Sequence, residues 1–252
     1  MRLHSSRLAD GRRVTVYLPS SARARPRRPY SLLVLHDNQN VFDPDRAFVR
    51  GQHWRAGETA DRLIAGRVIP PIVICGVDHG GEARIEEMTP TAGPDGVGGG
   101  AKRYGEMIVD EVLPFVRAEF PVRRDREGTA LGGSSLGGLV TLSTVIEYPA
   151  VFGSAMAMSP SIWWDRRVIL RRLVRRAGAL DGMRLWVDIG LDEGAKAVGD
   201  ARRLAKLLTQ LNKRPTRPNF ELSYIEEADA NHSERSWAAR FGRALTFLFG
   251  AR

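Results

Sequence analysis

Apolar and polar positions along this chain follow two periods in turn, and the alternation predicts strands and helices one after another. Arg13 to Leu18 alternates with a period of two, as a strand with one covered face does, and Ser31 to Leu35 and Pro71 to Val77 are short apolar runs that read as buried strands. Thr59 to Ala65 predicts a short helix. Lys102 to Phe120 carries an apolar stripe at Tyr104, Met107, Ile108, Val112, Phe115 and Val116, interrupted at Glu111, and predicts a helix that Pro114 bends. Gly128 to Leu131 reads as a strand, followed by a helical pattern at Leu139, Leu142, Val145 and Ile146 that Tyr148-Pro149 stops. The second half predicts a strand at Ser154 to Met158, a helix at Arg166 to Arg176 and a strand at Arg184 to Ile189. A further helix carries Ala197, Ala201, Leu204, Leu208 and Leu211 on one face, before a strand at Asn219 to Ile225 and a closing helix at Ser233 to Phe249. Asp78 to Gly100 shows neither period and reads as a Gly-rich loop, and Ser20 to Pro29 reads as an exposed loop. Alternating elements of these lengths imply an α/β class chain, with a largely parallel sheet covered by helices on both faces.

Between the strand at Gly128 to Leu131 and the helix after it stands Gly132-Gly133-Ser134-Ser135-Leu136-Gly137-Gly138, a G-x-S-x-G pattern centred on Ser135. With 26 glycines in the chain the pattern alone is weak. Its position carries the weight, because a sharp strand-to-helix turn holds a serine Oγ where a base and a substrate can both reach it. The competing reading is a Gly/Ser turn that only joins two elements.

Composition narrows the picture. No linker or shift in composition divides the 252 residues, so a single domain spanning 1–252 is expected. With 43% apolar residues the chain can bury a sizeable core. It has no run of about 18 apolar residues and no signal-like start, which points away from membrane insertion and toward a cytoplasmic protein. The one cysteine, Cys75, lies in the apolar run Ile72 to Cys75; it is expected in the core, without an internal disulfide and in a reducing compartment. The formal charge of +9 rests on arginine, but the basic clusters at Arg23 to Arg28, Arg123-Arg124 and Arg166 to Arg176 are scattered, without interleaved aromatics or a reader motif. They read as solvated faces, and no nucleic-acid partner is expected. A single Cys and five dispersed His offer no metal-ligand spacing. Gly96 to Ala101 fits a nucleotide-loop string, but no strand leads into it, so neither metal nor cofactor is expected.

If Ser135 is a nucleophile on such a sheet, its partners follow in the order acid, then histidine, on loops after later strands. Of the histidines only His232 lies beyond Ser135, between the last strand and the last helix. The loop after Arg184 to Ile189 offers two adjacent carboxylates, Asp192 and Glu193, either of which could orient the imidazole, while Asp188 inside the strand reads as structural. One oxyanion donor is expected at the N–H of Leu136, directly after the nucleophile, and a second on the turn His36 to Phe42 after the first central strand.

Several segments together resemble the putative esterase family of α/β hydrolases, which includes enterochelin esterases, feruloyl esterases and mycolyltransferases. They are Leu33 to Phe42, similar to a strand ending in Asp-Gly-x-Asn-x-Phe; Gly76-Val77-Asp78 with Arg84 and Glu87 to Pro90; the turn Gly133 to Gly137; Ser159 to Trp164; and Asn231 to Trp237. The resemblance implies the α/β-hydrolase fold and a serine esterase that takes a small-molecule ester through an acyl-enzyme, without a cofactor. It maps the acid onto Glu193, the base onto His232 and the second oxyanion donor onto the N–H of Gln39. It also implies that Trp54, Trp163, Trp164 and Phe42 border the cleft, with only one of the adjacent Trp163 and Trp164 expected to line it and ordinary packing as the competing reading, and that Arg84 and Glu87 shape the loop through an ion pair. Asn38 departs from the family's glycine; asparagine tolerates a left-handed backbone better than most residues, which keeps the turn feasible. An acyltransferase would differ only in the acceptor that resolves the acyl-enzyme. A non-catalytic binding protein would need a broken triad or hole, and Asn38 is the sole irregularity seen.

Overall fold

The computed structural model describes residues 1–8, 11–24, 29–213 and 218–250. Its strands are β1 (Arg2–Leu3), β2 (Arg12–Tyr17), β3 (Ser31–His36), β4 (Ile72–Val77), β5 (Thr129–Ser134), β6 (Ser154–Met158), β7 (Arg184–Gly190) and β8 (Glu221–Glu227). The helices are α1 (Ser20–Ala24), α2 (Ala56–Ala65), α3 (Arg84–Met88), α4 (Ala101–Met107), α5 (Leu113–Glu119), α6 (Leu136–Glu147), α7 (Trp164–Arg175), α8 (Ala195–Asn212) and α9 (Glu234–Phe249). The strands form one eight-stranded sheet in the order β1-β2-β4-β3-β5-β6-β7-β8. From β4 to β8 every pairing is parallel, and β1 and β2 join antiparallel at one edge.

Side chains that alternate along a strand feed opposite faces, and the core divides accordingly. Leu32, Val34, Val73, Cys75, Leu131 and Val187 face a core built with α4 to α8. Leu33, Leu35, Ile72, Ile74, Met156 and Trp186 face a second one, closed by α2 and α9 through Ala56, Ala60, Trp237, Phe241 and Leu245. The expected sheet covered on both faces is therefore present. Every residue of helix α6 from Leu136 to Ile146 is buried, so it runs through the interior directly after β5.

Three local expectations are corrected. The loop expected from Ser20 opens as α1, and residues 25–28 lie outside the described residues. The stretch from Asp78 to Gly100 contains a 3-10 turn at Gly81–Ala83 and helix α3. Its glycine-rich end is pinned, with the Gly98 N–H on Glu86 at 3.0 Å and the Gly99 N–H on the Thr89 hydroxyl at 3.0 Å. The helix expected to bend at Pro114 instead widens before it. A π-helical turn, Ile108–Val112, separates α4 from α5, and the Leu113 N–H bonds the Ile108 carbonyl five residues back. Proline has no N–H and crowds the carbonyl four residues earlier, so a wider turn ahead of it places Pro114 in the first turn of α5. No helix among the described residues is long and apolar enough to cross a membrane.

Candidate active site

Parallel strands present all their C-terminal ends at one edge of the sheet, and ligand crevices form there. The turn after β3 carries Asp37 and Gln39, the turn after β4 carries His79, and the turn after β5 carries Ser135. Beyond β6, β7 and β8 lie Ser159, Glu193 and His232.

Ser135 sits at φ 57 and ψ −121, a conformation that a non-glycine residue adopts only when its surroundings impose it. Its N–H bonds the Met158 carbonyl at 3.0 Å and its carbonyl accepts from the N–H of Leu139 and of Ser161. Gly133 permits the tight approach, since a Cβ there would stand 3.0 Å from the Gly137 carbonyl carbon and from the His36 ring. The Ser135 Oγ lies 2.9 Å from His232 Nε2, and His232 Nδ1 lies 2.6 Å from Glu193 Oε2. Asp192, the alternative acid, is exposed, and only its backbone N–H is fixed, on the Ala230 carbonyl.

The Glu193 side chain is 1% exposed. Burial opposes its ionisation, yet the hydrogen bonds from His232, Ser159 and the Gly190 N–H outweigh burial and hold the carboxyl below its ordinary value. Ser159 donates to Glu193 Oε1 at 2.5 Å and the Gly190 N–H does so at 2.9 Å. His232 rides on a turn tied together by Asn231, Ser233 and Ser236, with Ser233 capping α9. Trp237, one turn into α9, packs its ring edge-on against the imidazole with centroids 4.9 Å apart.

Across the site the turn after β3 is held by side chains. Asp37 takes the left-handed conformation at φ 56 and receives both Nε and Nη2 of Arg84, at 2.7 and 2.8 Å. Gln39 clasps the backbone of His79, donating to its carbonyl at 3.2 Å and accepting from its N–H at 3.1 Å. Asn38 is not the left-handed residue of this turn; its buried amide donates to Asp78 at 2.6 Å and to Thr15 at 3.0 Å. A Cβ on Gly76 would stand 2.3 Å from Asn38 Oδ1, so the asparagine fits because glycine faces it from β4. Leu136 opens α6, and its N–H is among those that a helix leaves without an internal acceptor.

Between these two sides lies a cleft of about 500 Å³ whose lining includes Ser135, His232, Trp237 and Arg84, with Phe48, Val49 and Ile85 as exposed apolar rim. A cavity of about 560 Å³, lined by Arg2, Arg13, Arg46 and Asp78, meets it at His79 but includes neither Ser135 nor His232.

The aromatic walls expected from sequence are placed differently. Trp54 is 2% exposed and packs on Trp237 and Phe241 beneath the site, in the core under α2 and α9. Trp164 is buried with its indole N–H on the Thr91 carbonyl, and Trp163 is 58% exposed; neither belongs to the cleft lining, and nor does Phe42. The aromatic that does line the cleft is Trp237, seen in the sequence only as part of the His232 segment. Arg84 and Glu87 do not pair with each other: Arg84 binds Asp37, and Glu87 binds the buried Arg12.

The parallel sheet, with its strained serine turn feeding a buried helix, is that of an α/β hydrolase, and a solved structure agrees in fold. The BES protein from Bacillus cereus superposes with a TM-score of 0.79 at 19% identity, covering 100% of this chain and 94% of that one. Residues 5–248 match the family described as Putative esterase, and the chain belongs to that family of carboxylic ester hydrolases. The uncharacterized protein YbbA of Bacillus subtilis is 23% identical over 256 residues, covering 98% of this chain and 96% of its own length. The iron(III) salmochelin esterase of Escherichia coli O6:H1 is 32% identical over 166 residues, 64% of this chain, which spans only 36% of that protein.

Proposed function

We propose that the chain is a serine esterase in which Ser135, His232 and Glu193 form the catalytic triad. The observation that carries this reading is the unbroken run of hydrogen bonds from Ser135 Oγ through both imidazole nitrogens to Glu193, at 2.9 and 2.6 Å. Ser135 Oγ attacks the ester carbonyl carbon while its proton passes to His232 Nε2. The N–H groups of Leu136 and Gln39 meet the developing oxyanion. Collapse of the tetrahedral intermediate breaks the ester bond, and the imidazolium protonates the departing alcohol. Water, giving a proton to His232 Nε2, then attacks the acyl carbon; the bond to Ser135 Oγ breaks as the imidazolium returns that proton to Oγ, and the carboxylic acid leaves. Glu193 stays a carboxylate throughout, fixes the Nδ1–H tautomer and stabilises the imidazolium. The apolar rim of Phe48, Val49 and Ile85 supports an uncharged acyl or aromatic portion of a small-molecule ester. The salmochelin esterase relative supports iron(III)-siderophore esters as the first natural class to assay.

Hydrolysis of p-nitrophenyl acetate and butyrate by the wild type, Ser135→Ala and His232→Ala tests the reading. Each substitution is expected to lower kcat by about 10⁴- to 10⁶-fold with the fold intact. Wild-type activity in Ser135→Ala overturns it.

A further inference from the structure

Glutamate is a demanding orienting acid, because its extra methylene adds a rotor that must be fixed before one particular oxygen faces the imidazole. Glu193 Oε1 has the Ser159 hydroxyl and the Gly190 N–H as partners, while Oε2 faces His232. Ser159 is itself 2% exposed and held at φ 41, in the left-handed region, directly after β6. Its Oγ touches three groups: Glu193 at 2.5 Å, the Trp237 indole N–H at 2.9 Å and Arg240 Nη2 at 3.0 Å.

A hydroxyl has one proton and two lone pairs, whereas an indole and a guanidinium only donate. Trp237 and Arg240 therefore occupy both lone pairs, and the single Ser159 proton is directed at Glu193. Arg240 is fully buried on α9 and held by Asp188 of β7, with Nε and Nη2 each 3.0 Å from Oδ1. The Asp188 carbonyl receives the Ser159 N–H at 2.9 Å, so the same residue fixes Ser159 from two directions. Arg240 Nη2 lies only 3.8 Å from Glu193 Oε1. With the hydroxyl removed, the guanidinium becomes the strongest nearby partner for Glu193 and draws the carboxylate away from His232.

We infer that Ser159, oriented by Trp237 and by the buried Arg240–Asp188 pair, is a positioning residue that holds Glu193 on His232 and away from Arg240. The inference rests on the triad reading above. Ser159→Ala is expected to lower kcat for p-nitrophenyl acetate by about 10- to 100-fold while KM stays within about twofold, because substrate contacts are untouched. The same substitution in a Glu193→Gln background is expected to change kcat by less than about threefold, since Ser159 acts through the carboxylate. Wild-type kcat in Ser159→Ala, or a full multiplicative loss in the Glu193→Gln background, overturns the inference. Should alanine reduce the folded yield, Ser159→Gly, which suits the positive φ, reads out the same two quantities. An inactive Ser135→Ala beside a fully active Ser159→Ala refutes the positioning role alone; an active Ser135→Ala refutes the triad beneath it.

Discussion

Two arginine–aspartate pairs stand close to the proposed nucleophile, and they are engaged differently. Arg84 grips Asp37 fork to fork, one nitrogen on each oxygen, at the cleft wall. Arg240 sends two nitrogens to a single oxygen of Asp188, because the other oxygen accepts from the Trp186 indole at 2.7 Å, and Nη2 is shared with Ser159. The outcome shows in the carboxyls. Burial raises Asp37, but Arg84 more than offsets it and holds the carboxyl below its ordinary value. Burial also raises Asp188, and there Arg240 and Trp186 do not recover it. The first pair is satisfied within itself and stiffens a turn; the second gives up part of its own stabilisation to the acid side of the site. A buried pair of this kind is weak grounds for stability and good grounds for asking what it orients.

The largest effect expected from this contrast is on the buried pair. Arg240→Met strands the Asp188 carboxylate in the interior and is expected to cost about 3–5 kcal/mol in urea denaturation. Pairing it with Asp188→Leu should recover most of that loss, and failure to recover would mean that the arginine contributes more than charge balance. Next comes pH. Burial lowers His36, adjacent to Asp37, to about 4 from 6.5, with Asp37 raising it and Arg84 lowering it further. Below about pH 6.5 the unfolded chain takes up a proton that the folded chain refuses until about pH 4. About 3 kcal/mol of stability, fully present above pH 6.5, is therefore lost as pH falls through that window. Stability measured from pH 7 to 4 should flatten in His36→Gln, and an unchanged slope would place the titration elsewhere. The smallest effect belongs to the satisfied pair at the wall: Arg84→Met should cost about 2 kcal/mol, as Asp37 loses its charge-assisted partner but lies nearer water. A loss equal to that of Arg240→Met would erase the distinction between the two pairs.

Strands β2 to β8 were legible along the chain because each is a compact apolar run or a two-residue alternation, whereas the two residues of β1 are too few to show a period. The elbow was legible because the serine pattern falls where one period gives way to the other. Positions after successive strands likewise singled out His232 and narrowed the acid to Asp192 or Glu193; only the family resemblance separated the two, and the fold brings Glu193 to hydrogen-bonding distance of His232. Helix α3 was hidden since five residues between glycines and prolines show no period. The tryptophans were misplaced because an aromatic next to a motif carries no sign of which way it points, and Trp54 turned inward onto Phe241. Asp188 was read as structural, but its partner Arg240 lies 52 positions away, a pairing that no local pattern encodes. Ser159 drew notice only as part of a segment, since the partners of its hydroxyl, Glu193 after β7 and Trp237 and Arg240 on α9, lie 34 to 81 positions away.

Cys75 sits in the middle strand of a paired trio, opposite Val16 on one side and Val34 on the other, and burial pushes its thiol up to about 12. Thiolate is the reacting form, so a thiol reagent in neutral solution finds no target while the sheet is closed. The chain thus carries a built-in reporter of the opening of its own centre: the rate at which that sulfur is labelled counts excursions in which β4 parts from its neighbours, separately from anything happening at the cleft.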